Sequence, residues 1–103
     1  MKKALAVVLM LVTTNVFAET FSTDKNFTTQ TTITWTPVDN VQARCEQESK
    51  RRGLGGFGYG VEACSFWDYK PNGDSTCTVI TARKTTHDTL GHEARHCFQG
   101  KFH

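Results

Sequence analysis

The sequence predicts a small α+β domain held by disulfides: a short antiparallel sheet, a helix backing it, and a second helix near the C-terminal end. Three observations carry this. Apolar and β-branched positions follow the order strand, helix, strand, strand, helix over 31–103. Four cysteines, Cys45, Cys64, Cys77 and Cys97, are spread through those elements at separations of 19, 13 and 20 residues. With the first 18 of 103 residues set aside as a leader, 85 remain, a size at which the hydrophobic core is thin and cross-links are usual.

The leader is read from its own pattern. Met1-Lys2-Lys3 opens it, an apolar run from Ala4 to Val12 follows, and Val16-Phe17-Ala18 offers a small residue for cleavage before Glu19. This is the pattern of a secretory signal peptide over 1–18. The run is well short of the roughly 20 apolar residues that span a bilayer, so no stable membrane anchor is expected after cleavage. No cysteine stands at the cleavage point itself, where Glu19 follows Ala18, which argues against a lipoprotein reading. An exported chain, periplasmic or secreted, meets an oxidising compartment, and the cysteines then read as two disulfides. Their use as zinc ligands would call for close pairs such as C-x-x-C, and there are none.

Lys2 and Lys3 are two of the 12 basic residues, while all 10 acidic ones lie beyond Ala18. The remaining chain is balanced, so the sequence pI near 8.4 gives no support for nucleic acid or an anionic membrane surface as partner.

Residues 19–30 are rich in Thr and read as an extended arm before a single domain over 31–103. Thr31 to Thr36 alternates β-branched and aromatic residues with polar ones and predicts a strand ended by Pro37. Asp39 or Asn40 offers an N-cap, Val41 to Arg52 is rich in helix formers, and Gly53 follows. Lys50-Arg51-Arg52 matches the negative end of that helix dipole. Val38, Val41 and Cys45 share one face, which turns Cys45 into the core.

The Gly-rich run from Gly53 to Gly60 follows a helix and lacks G-K-[ST], so it reads as a pliant connection rather than a nucleotide loop. Phe57 and Tyr59 in it either pack on the core or line a groove. Val61 to Tyr69 and Thr76 to Lys84 predict an antiparallel hairpin around Lys70-Pro71-Asn72-Gly73-Asp74. Cys64 and Phe66 share one face of the first strand; Cys77, Val79 and Thr81 share one face of the second. Thr85-Thr86-His87-Asp88 supplies helix-starting chemistry, with Gly100 closing that helix. If both helices cover one face of the sheet, Cys45 to Cys64 and Cys77 to Cys97 each tie a helix to a strand. The rival pairing is Cys64 to Cys77 with Cys45 to Cys97.

The chemistry concentrates in His92-Glu93-Ala94-Arg95-His96, which fits H-E-x-x-H. On a helix, positions i and i+4 lie one turn apart on one face, so both imidazoles can aim at one ion. Zn2+ suits such ligands, and Glu93 stands beside the first of them as a candidate general base. His103 supplies a third imidazole, and Gly100 allows the chain to turn back toward it. Three of the chain's four histidines thus fall within its final 12 residues.

At these residues the chain resembles the zincin superfamily of metallopeptidases, and His92 through His103 looks like a lengthened metzincin signature, H-E-x-x-H-x-x-x-G-x-x-H. Gly100 and His103 each fall one residue later than in the metzincin pattern. The resemblance implies a zincin-like fold, a peptide or protein substrate, zinc ligands His92, His96 and His103, and Glu93 as base. It also implies that Val41 to Arg52 backs the sheet and that Thr78 to Arg83 is an edge strand able to hold substrate in extended form.

Other residues carry plainer expectations. His87 is either a neighbour of the helix cap or a group stabilising the oxyanion. Arg95 is expected in a salt bridge or in solvent. Tyr59 and Tyr69 either pack or donate to a tetrahedral intermediate, Gly91 permits close approach of helix to sheet, and Trp35, Phe66 and Trp67 are core residues. A different class of function also fits the histidines: a small periplasmic zinc carrier, or an interaction module stabilised by a metal, in neither of which Glu93 has a chemical task.

Overall fold

The structure is a computed structural model that describes residues 20–103; the expected signal peptide lies outside the described residues. It is a small α+β fold in which a three-stranded sheet carries one helix on each face. The elements are β1 (Thr32–Val38), α1 (Val41–Arg51), β2 (Ala63–Tyr69), β3 (Ser75–Ala82) and α2 (His87–Gln99). No helix among the described residues is long and apolar enough to cross a membrane.

The sheet is mixed, in the order β1-β3-β2. β2 and β3 form the expected antiparallel hairpin, closed by a turn in which Lys70 N–H donates to Asp74 O at 2.8 Å. β1 instead runs parallel to β3, which corrects the expectation of a wholly antiparallel sheet. The reason is connectivity. α1 carries the chain past the central position to β2, and the hairpin then returns β3 into the gap, pointing the same way as β1.

Two further corrections follow from this order. Thr78 to Arg83 is not an edge strand, because β3 is central; β1 and β2 are the edges. Pro37 does not end β1, which continues to Val38, since an edge strand can accommodate a residue without N–H.

Register decides the layering. Cys64 pairs with Ile80 and Phe66 with Thr78, whereas Ser65 pairs with Val79 and Trp67 with Cys77. Paired residues point to the same face, so Cys64, Phe66 and Ile80 share one face, and Ser65, Trp67, Cys77 and Val79 the other. α1 covers the first through Cys45, Val41 and Val38, and α2 covers the second through Cys97, Leu90 and Phe98. The helices are therefore on opposite faces, not on one. Disulfides Cys45–Cys64 and Cys77–Cys97 each tie a helix to a strand, one on either side of the sheet.

Local chemistry sets the helix ends. The Asn40 side chain accepts from Ala43 N–H at 3.0 Å, and Thr86 Oγ1 accepts from Thr89 N–H at 3.0 Å, each satisfying a donor that the first helical turn leaves free. Gly100 ends α2 with φ 63° and ψ −138°, a backbone state that side-chain-bearing residues disfavour.

The arm is pinned to the end of α2. Phe27 N–H donates to Phe98 O at 2.7 Å, and the Gln99 side chain donates to Ser22 O and Asn26 Oδ1. Phe66 is core as expected. Trp35 is not: it stays 48% exposed on β1, with its indole N–H donating to Thr81 Oγ1, because α2 sits over β2 and β3 and leaves the β1 end of that face open. Gly91 does not serve close packing either, since a Cβ there would meet nothing within 4 Å.

Candidate metal centre

α2 positions the first two histidines. His92 and His96 are one turn apart on its groove-facing side, with ring centroids 5.0 Å apart. Gly100 then reverses the chain, and His103 returns with its Nε2 3.2 Å from His92 Nε2 and 3.1 Å from His96 Nε2. One ligand nitrogen from each of His92, His96 and His103 lies within 4.8 Å of the others, a grouping that can hold a metal ion. His87, which opens α2 in an exposed position, is not part of it.

The most buried of the three, His96 at 7% exposure, is held on every side. Its Nδ1 lies 2.7 Å from Gly100 O. A carbonyl can only accept, so Nδ1 carries the proton and Nε2 presents a bare lone pair toward the other imidazoles. Trp67 stacks on one side of its ring, centroids 5.4 Å apart and planes within 2°, and Phe102 lies on it at 4.3 Å. Burial depresses its pKa below 6.5, opposed by the Gly100 carbonyl and the Glu93 carboxylate and assisted by the neighbouring histidines. The ring is thus biased toward the neutral form that binds metals.

Glu93, at 8% exposure, leans on β2: Ser65 Oγ donates to its Oε1 at 2.7 Å. An open groove of about 1520 Å³ follows the outer edge of β2, and the three histidines, Glu93 and Ser65 all line it. Tyr59 reaches the same groove from the Gly-rich connection and is 68% exposed, while Phe57 beside it also packs on the core. Tyr69 is elsewhere, its hydroxyl donating to Cys97 O at 3.2 Å. Among the described residues Arg95 makes no salt bridge, and it is not a free solvated arm. Its guanidinium is 3.9 Å from the Phe102 ring centroid and 4.7 Å from that of Phe21, and its Nε–H donates to Gln99 Oε1.

The sequence reading missed the roles of Ser65, Trp67, Phe102 and the Gly100 carbonyl. Ser65 and Trp67 alternate with Cys64 and Phe66, so a strand pattern does place them together on one face. What the pattern omits is that α2 packs on that face with Glu93 and His96 toward them. No protein-family model matches the chain, and neither a curated protein nor a solved structure matches it.

Proposed function

We propose that the chain is an exported zinc-dependent hydrolase that cleaves amide bonds in peptides, with His92, His96 and His103 as zinc ligands and Glu93 as general base. The convergence of three imidazole nitrogens beside a groove, with a carboxylate one residue from the first ligand, carries this reading. The donor set suits zinc. Tetrahedral Zn–N bonds of about 2.0–2.1 Å place ligand nitrogens about 3.3–3.4 Å apart, close to the 3.2 and 3.1 Å that separate His103 from His92 and His96, within a set of three nitrogens that spans at most 4.8 Å. The fourth ligand position would belong to solvent from the groove. Two disulfides are compatible with an oxidising, exported setting.

When bound, zinc supplies a lowered water pKa and polarisation of the attacked carbonyl. The chain's own residues do the rest. Glu93 accepts a proton from the attacking water and passes it to the leaving amine. The fixed tautomer of His96, held by Gly100 and packed against Trp67 and Phe102, keeps its ligand nitrogen aimed. β2, the edge strand along the groove, offers unpaired backbone groups to an extended peptide, the role that the resemblance to zincins had assigned to Thr78 to Arg83.

The test measures zinc content and cleavage of a mixed peptide library for the wild type, His103→Ala and Glu93→Gln. The expected outcome is stoichiometric zinc and cleavage in the wild type, zinc loss in His103→Ala, and zinc retained with turnover lower by about 10²–10⁴ in Glu93→Gln. Zinc without cleavage by the wild type identifies a carrier or a metal-stabilised module instead. No zinc removes both readings.

A further inference from the structure

We infer that Ser65 is the positioning residue for Glu93: its hydroxyl holds one carboxylate oxygen so that the other faces the water to be deprotonated. The inference rests on the reading of Glu93 as general base and extends it to a residue on a different element.

The geometry sets one face of a strand against one face of a helix. Successive same-face residues on a strand are about 6.8 Å apart, positions i and i+3 on a helix share a face about 4.5 Å apart along the axis, and the side chains span the difference. Ser65 and Trp67 on β2 therefore meet Glu93 and His96 on α2 as two parallel contacts, Ser65 with the carboxylate and Trp67 with the imidazole. One strand face thereby holds both the base and the most buried ligand.

Ser65 is itself fixed. Its cross-strand partner Val79 is fully buried on β3, and the Cys77–Cys97 disulfide joins β3 to α2 nearby. A short O–H···O contact to a carboxylate is charge-assisted and directional. An unanchored Glu side chain rotates about three bonds, and the hydrogen bond to Oε1 selects one arrangement from that set. The proton transfer then runs through Oε2 without passing through Ser65, so no bond to the serine is made or broken.

The test compares the zinc-loaded wild type with Ser65→Ala and Ser65→Thr, the second of which retains a hydroxyl. Ser65→Ala is expected to keep full zinc and a KM within about threefold of the wild type, while kcat falls 10- to 100-fold; Ser65→Thr is expected to recover most of the loss. A crystal structure of Ser65→Ala is expected to show the Glu93 carboxylate rotated or in several conformers. Unchanged kcat in Ser65→Ala, or a loss accompanied by loss of zinc, overturns the inference. So does a Glu93 carboxylate that keeps its place without the hydroxyl. That last readout needs no peptide cleavage, so it decides the positioning role even if the wild type proves to hydrolyse nothing.

Discussion

His96 is the residue at which burial and chemistry are most closely joined. Its ring is removed from water, its Nδ1 is committed to Gly100, and its pKa is held below 6.5, chiefly by burial. In the unfolded chain the ring takes up a proton as pH falls through about 6.5; in the folded, metal-free protein it does so only at lower pH. The unfolded state then binds more protons, so folding stability is lost as pH falls from 6.5 toward the folded value. Glu48 behaves as an acid with a lowered pKa, held mainly by its hydrogen bond from Arg51, and its contribution is lost only below about 4.5. Melting of the chelator-treated protein is therefore expected to move to lower temperature between pH 6.5 and 4.5. A His96→Gln variant should show a flatter profile across that window, and equal slopes for the two proteins would contradict this account of His96.

At the scale of the element, the decisive feature is the end of α2. Helix spacing alone brings His92 and His96 together, but His103 joins them only because the chain reverses at Gly100. A Cβ at Gly100 would stand 3.2 Å from Phe27 Cε2 and 3.5 Å from the Trp67 indole nitrogen, on a backbone with φ 63°. Gly100→Ala is accordingly expected to destabilise the fold by about 1–3 kcal/mol and to weaken metal binding as His103 and the Gly100 carbonyl shift. Urea unfolding and competition with a zinc chelator measure the two effects separately. An affinity unchanged in Gly100→Ala would mean that His103 reaches the site without this turn.

At the scale of the whole molecule, the two disulfides are alike in loop length and unlike in position. They span 19 and 20 residues, for which the chain-entropy model gives about 3 kcal/mol each. Cys45–Cys64 lies under α1, away from the histidines; Cys77–Cys97 lies under α2, next to His96. Replacing both cysteines of either pair by alanine should lower stability by about 2–5 kcal/mol. Only the Cys77/Cys97 pair should also lower metal affinity, as read by zinc titration in the folded baseline. Equal losses of affinity for both pairs would indicate that the sheet transmits strain from one face to the other.

The element order, the helix starts to within a residue or two and the pairing of His92 with His96 were legible in the sequence because each rests on neighbours in the chain: alternation along a strand, a side chain folding back on its own helix, two residues four apart. Each such pattern extends over fewer than about a dozen residues and is governed by backbone geometry. The sheet order, the parallel pairing of β1, the opposite placement of the helices, the return of His103 and the contact of Ser65 with Glu93 were decided by the tertiary structure. A shift of one residue in the β2–β3 register exchanges the faces of every side chain on a strand, and that choice depends on how two separate apolar clusters are buried, a property of the packed molecule that no local spacing carries.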